Sequence, residues 1–156
     1  MAYKVGFGKH EEKTLEWLFF HDPGYVWWMI ENNEQEKLNG AARMRFDELI
    51  RRAKHLAIPG TCSHCEKPVS RMCLIRHPNG GLTDVVFFCN SCYRDGAISK
   101  FMTPSFFTPD VFKNYDKTGA KILVAAIKDA YFDNKVRMTQ AKMEEFFDDP
   151  TNFVNP

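Results

Sequence analysis

The chain contains no run approaching the roughly 20 consecutive apolar residues of a membrane helix. Its start, Met1-Ala2-Tyr3-Lys4-Val5-Gly6, has no apolar leader segment. A cytoplasmic protein with no membrane partner is therefore expected. Also missing are a Gly-rich phosphate loop, a Gly-x-Ser-x-Gly elbow and a His-Glu-x-x-His helix. The usual signatures of NTPases, serine hydrolases and zinc peptidases are thus absent, and no small-molecule substrate is expected. The formal net charge is only +1, so no molecule-wide positive field marks a nucleic-acid binder. There is no internal repeat and no low-complexity segment.

What the chain does have is the composition of a globular protein: 44% hydrophobic and 26% charged residues over 156 positions. That length suffices for one ordinary domain, or for two small ones sharing a core. The charge is unevenly spread. Residues 36–61 carry six basic and three acidic side chains, residues 62–100 five and three, and residues 101–156 seven and eight. The middle is the basic part.

Local patterns predict an α+β fold. Thr14 is placed to cap a short helix before Leu15, and Asp22-Pro23-Gly24 breaks it. A second short helix follows from Tyr25, with Trp28 or Trp27 on its buried side. A third, from about Asn39 to Leu56, has Ala42, Phe46, Leu49, Ile50, Ala53 and Leu56 at helical spacing and a basic opposite face. Val69–His77 and Leu82–Phe88 read as two strands around Pro78-Asn79-Gly80-Gly81. Residues 101–107 read as irregular and rich in aromatics. Thr108-Pro109-Asp110 predicts a turn or two of helix over Val111–Tyr115. Two further helices are expected at Gly119–Phe132 and about Gln140–Phe147. The resulting division is a helical region at 1–57, a ribbon at 58–100 and a C-terminal helical region at 101–156, with one compact unit as the alternative.

Of five cysteines, four form two Cys-x-x-Cys knuckles, Cys62-Ser63-His64-Cys65 and Cys89-Asn90-Ser91-Cys92, separated by 23 residues. Each knuckle can supply two corners of a thiolate tetrahedron, and a hairpin between two knuckles resembles a zinc ribbon. The expected cofactor is one structural Zn2+ on Cys62, Cys65, Cys89 and Cys92. Four thiolates leave no open coordination position, so the metal should organise the fold rather than carry out chemistry. A thioredoxin-type redox pair would need one such motif between a strand and a helix. Cys73, alternating with Met72 and Leu74, reads as a small core residue. His64 is superfluous as a ligand beside four cysteines, and His10 and His77 read as turn residues.

The run Phe7-Gly8-Lys9-His10-Glu11-Glu12-Lys13-Thr14-Leu15, followed by Asp22-Pro23-Gly24-Tyr25-Val26-Trp27-Trp28-Met29, resembles the small C-terminal accessory domain of the exodeoxyribonuclease X-like family. That pattern is Phe-Gly-Lys-(Tyr or His)-x-Gly-Lys-(Thr or Ser), then Asp-Pro-x-Tyr and a tryptophan two positions on, where Trp27 stands. About 25 of the 156 residues are covered. Glu12 departs from the family's usual glycine, which bears on the geometry of the turn before Lys13. The resemblance implies an accessory module found beside nucleases and in phage-like proteins. It does not imply nuclease activity, because the family's acidic catalytic site lies in a separate preceding domain.

Lys9 and Lys13 flank a glycine turn and can contact phosphate, and Tyr25, Trp27 and Trp28 can offer a stacking face. A solvated turn and an aromatic core are the plain alternatives. The same choice applies to Arg43, Arg45, Arg51, Arg52 and Lys54 on the third helix, and to Arg71 and Arg76 on the first strand. The expected function is a zinc-binding, non-catalytic accessory protein that binds nucleic acid, with DNA ahead of RNA. One alternative is a protein-interaction module, for which Phe101-Met102 and Phe106-Phe107 would suit a partner groove unless they pack under the C-terminal helices. A smaller one is a metal-dependent nuclease using His77-Pro78-Asn79-Gly80.

Overall fold

The structure, a computed structural model, describes residues 2–94, 96, 98–113, 116–133 and 135–155, with the backbone alone at Asp110. The chain opens with a looped turn in which Val5 N–H donates to Lys13 O at 2.8 Å and Leu15 N–H to Tyr3 O at 2.9 Å. Gly6 and Gly8 take positive φ there. At Gly8 a Cβ would also collide with the Tyr25 hydroxyl, so the turn needs glycine twice over. Glu12 is exposed and pairs with Lys4, and its φ is not positive. The glycine usual at that place is therefore not required by the backbone.

Helix α1 spans Leu15–His21, capped by Thr14, whose Oγ1 accepts Trp17 N–H at 3.3 Å. Helix α2, Pro23–Glu31, starts at Asp22, which accepts Tyr25 N–H at 3.1 Å, with Pro23 where its missing N–H costs nothing. α2 buries Tyr25, Val26 and Met29. Trp27 is half-buried against Phe112, and Trp28 is 42% exposed, so the buried side belongs to Trp27 and not to Trp28. A short 3-10 turn at Glu34–Lys37 leads to α3, Gly40–Ala53, capped by Asn39.

The middle of the chain forms a three-stranded antiparallel sheet in the order β2-β1-β3, from β1 (Arg71–Arg76), β2 (Leu82–Phe88) and β3 (Ser99–Met102). The hairpin is where the sequence places it, with a register shift between Ile75 and Arg76. β3 corrects the expectation of an irregular start to 101–107. Phe101 and Met102 pair with Cys73 and Met72 on the free edge of β1. The expectation of a core cysteine holds, since Cys73 is fully buried between Val86 and Phe101.

Helix α4 is a single turn, Pro109–Phe112. Its expected extension to Tyr115 falls outside the described residues. Helix α5, Lys117–Tyr131, is capped by Asp116, which accepts both Gly119 N–H at 2.8 Å and Leu82 N–H at 3.1 Å. One carboxylate thus fastens α5 to the start of β2. Helix α6, Gln140–Asp148, is capped by Thr139 and stopped by Asp149-Pro150.

α5 packs on β2, and Val85 and Phe87 of β2 border one groove with Ile122 and Ala126 of α5. Beneath α1, α3 and α6, Phe19, Phe20, Phe106, Phe146 and Phe147 meet largely edge to face at centroid separations of 5.1–6.3 Å, the geometry that aromatic quadrupoles favour. The segment after α3 is stitched to both later parts of the chain. Ala53 O accepts Phe106 N–H at 2.9 Å, Leu56 N–H donates to Pro104 O at 3.0 Å, and Ala57 N–H to Asn152 O at 2.9 Å. Residues of the N-terminal helices, the sheet and the C-terminal helices share one hydrophobic core.

Candidate functional site

The four knuckle cysteines converge at one end of the sheet. The first knuckle is a tight loop closed by Cys62 N–H to Lys67 O at 2.8 Å and by pairing of Thr61 with Pro68. It is anchored to the end of β2, where Phe87 O accepts both the N–H and the hydroxyl of Ser63 at 3.1 and 2.9 Å. The second knuckle continues directly from β2 and is held by Arg71, whose Nε donates to Asn90 Oδ1 at 2.7 Å. Register in the hairpin therefore sets the distance between knuckles.

All four Sγ atoms lie within 4.8 Å of one another, with Cys65 to Cys89 at 3.7 Å and Cys65 to Cys92 at 3.4 Å. No disulfide is formed. A sulfur tetrahedron with metal–sulfur bonds of about 2.3 Å has edges of about 3.8 Å, so the donor set fits a tetrahedral metal ion. Burial raises the Cys62 thiol, but backbone N–H groups of Cys89, His64 and Cys65 outweigh it and bring it down to about 6. Cys89 is lowered, chiefly by the Ser91 N–H. Cys92 is raised to about 12, chiefly through its hydrogen bonds with the Cys89 and Cys65 sulfurs. Thiolates this close repel one another, and a bound cation removes that conflict.

Compared with protein-family models, curated proteins and solved structures, the chain matches none.

The basic residues singled out from sequence do not form one face. Arg45 is folded inward, donating to Glu16 at 2.9 Å, Glu48 at 3.0 Å and Asp148 at 2.7 Å. Glu16 itself is fully buried, and desolvation raises its carboxyl even against Arg45. Arg52 donates to the Phe147 carbonyl and pairs with Glu48 at 2.8 Å. Arg43 pairs with Asp47, and Arg71 is engaged by Asn90 and Thr103. Arg76 is half-buried at the end of β1, while Arg51 is exposed on α3 and Lys54 at its C-terminal cap. Of the basic face expected on the third helix, Arg45 and Arg52 are drawn into ion pairs at low exposure, whereas Arg43 is only partly covered and Arg51 and Lys54 are exposed. Arg45 serves the fold because acidic partners reach it from α1 and α6, and Arg52 because it takes the Phe147 carbonyl of α6 together with Glu48 of its own helix.

Lys9 and Lys13 are exposed on the opening turn. Lys9 lies 5.1 Å from the Tyr25 ring and pairs with Asp22 at 2.7 Å; Lys13 lies 5.1 Å from the Trp17 ring. His10 also binds Asp22, at 2.8 Å, which fits its reading as a turn residue. Hydrogen bonds from Lys9 and His10 hold the Asp22 carboxyl below its ordinary range despite burial, which opposes them as the largest single influence. Sequence reasoning missed three lysines that face the same region, Lys117, Lys121 and Lys128 of α5. Their i, i+4, i+11 spacing was the available signal.

Phe106 and Phe107 are buried in the aromatic core and offer no partner surface. His77 sits exposed in the hairpin turn, its Nδ1 accepting Asn79 N–H at 3.2 Å. Among the described residues, no helix is long and apolar enough to cross a membrane.

Proposed function

We propose that the protein is a zinc-stabilised accessory module that binds nucleic acid, with DNA as the first candidate. The observation that carries the zinc assignment is the meeting of four thiolate donors at tetrahedral spacing across a β-hairpin. Zinc suits a closed four-sulfur site that needs neither redox change nor an open position. The metal fixes the two knuckles, and through them the ends of β1 and β2. The exodeoxyribonuclease X-like pattern of the first block supports the nucleic-acid part. So do the exposed Lys9 and Lys13, each set beside an aromatic ring. In this reading, Gly8, Thr14, Asp22 and Tyr25 of the motif build the turn that presents those lysines.

The test is fluorescence anisotropy of labelled single- and double-stranded DNA and RNA with the zinc-loaded chain across a salt series. Binding whose logarithm falls linearly with the logarithm of salt is expected, because neutralised phosphates release counterions. Absence of binding to every nucleic acid at low salt would overturn the reading. Capture of a protein partner that survives high salt would then favour an interaction module.

A further inference from the structure

Two grooves meet at the opening turn. One, of about 490 Å³, runs between that turn and α5 and is faced by Lys9, His10, His21, Lys117, Lys121 and Lys128, against the single carboxylate of Asp22. That carboxylate is already paired with Lys9 and His10. The three α5 lysines fall on one stripe of the helix, within about 40° of one another and over about 16 Å of its length. The other groove, of about 540 Å³, is lined by Tyr25, Trp27, Trp28 and Phe112, with Lys113 and Glu31 contributing one charge of each sign. Lys9, Asp22 and Gly24 line both, so the basic groove opens into the aromatic one.

The side chains that face the grooves are arranged as flat surfaces. Trp28 rests one face on Tyr25 at 5.1 Å and 28°, and is 42% exposed. His21, also exposed, lies parallel on Trp17 at 4.5 Å and 4°. A solvent-exposed indole on a folded surface is costly in apolar area and is not needed by the core, which α2 serves through Tyr25, Val26 and Met29. Partial burial is the main influence holding His21 below the usual imidazole range; the hydrogen bond to the Trp17 carbonyl opposes it, and Lys128 and Lys13 add to it.

We infer that these joined grooves bind single-stranded nucleic acid, the α5 lysine row and Lys9 taking successive phosphates and Trp28 stacking a base. The inference rests on the nucleic-acid reading above and makes it specific in place and strandedness. A row of lysines beside aromatic platforms is the arrangement that holds single strands without reading sequence, with footprints that start near about 4 nucleotides. A duplex keeps its bases stacked on one another and has none to offer Trp28. An acidic peptide would use the lysines but leave the indole unoccupied.

All three tryptophans of the chain line these grooves, so intrinsic fluorescence reports occupancy directly. The experiment titrates the full zinc-loaded chain with a short thymidine oligonucleotide, following tryptophan quenching and anisotropy over a salt series, for wild type, K121A/K128A, W28A and R51A/K54A. Melting temperature verifies that each variant is folded. Lys121→Ala with Lys128→Ala is expected to weaken binding about tenfold at low salt and to make the salt slope shallower by about 1.4, two phosphates' worth for a single strand. Trp28→Ala is expected to lose most of the quenching and about tenfold in affinity. Wild-type binding in both groove variants, with loss in R51A/K54A, would move the site to α3 and overturn this inference while keeping the nucleic-acid reading. Tighter binding to duplex than to single strand would overturn its strandedness. No binding of any nucleic acid by wild type would overturn both.

Discussion

Phe19, Phe106 and Phe147 are each 0% exposed and are surrounded by other rings, whereas in residues 59–68 the one buried side chain is Cys62. The second knuckle repeats this: of residues 89–94, Cys89 alone is buried. The helical part of the molecule removes enough apolar surface from water to hold itself together. The knuckles remove almost none, and their loops can persist only if a stronger local bond replaces the missing core. The four cysteines are positioned to hold a metal ion, and a four-thiolate centre there would be that bond, its metal affinity becoming folding free energy. One chain thus uses two stabilising strategies that meet at β1, whose Met72 and Leu74 belong to the shared core while its neighbours carry the cysteines.

The sharpest way to break the comparison is to remove the metal. Cys89→Ser, or chelation of the wild type, is expected to produce the largest fall in melting temperature of any change described here, with loss of metal. Amide exchange should show residues 58–94 losing protection first, while α1, α3 and α6 retain it longest. A metal-free variant with unchanged melting and unchanged exchange would contradict the division. Phe147→Ala attacks the other strategy. A cavity at a fully buried ring should cost about 3–5 kcal/mol and leave metal stoichiometry intact, read by denaturant unfolding and elemental analysis of the same sample.

Arg45→Ala comes next, at about 3 kcal/mol, because it strands the buried Glu16 carboxylate without a partner. The double change with Glu16→Gln should recover part of the loss, and a full loss in both would mean that packing rather than charge is responsible. The smallest expected effect is Gly8→Ala, about 1–2 kcal/mol from the left-handed backbone and the contact with the Tyr25 hydroxyl. Combining it with Tyr25→Phe should relieve the steric part alone, and the residue of the effect then measures the backbone term.

The elements most legible in the sequence are those whose signals are local. α1 was readable from the Thr14 cap and the Asp22-Pro23-Gly24 break, and α3 from the spacing of Ala42, Phe46, Leu49 and Ala53, because caps and periodicity act within a few residues. The four-cysteine cluster was readable for the same reason, each knuckle being a local motif. β3 was not. It has four residues, too few to display an alternation, and it exists because β1 offers an unpaired edge. The inward turn of Arg45 was not legible because Glu16 and Asp148, which draw it in, stand 29 and 103 positions away. The lysine row of α5 was hidden by averaging, since the C-terminal third is slightly acidic as a whole while the helix segregates its lysines onto one stripe. Trp28 was assigned to either face because periodicity alone does not choose between adjacent indoles. The choice is made by Phe112, on which Trp27 stacks at 5.9 Å.

The central claim is that one metal ion, zinc, joins Cys62, Cys65, Cys89 and Cys92. Native mass spectrometry of the chain purified without chelator, compared with its denatured mass, tests this most directly. The account predicts a native mass higher by one zinc ion, with four cysteines that become alkylatable only after the metal is removed. A native mass equal to the denatured one, with the knuckle cysteines either freely alkylated or oxidised to disulfides, would contradict it.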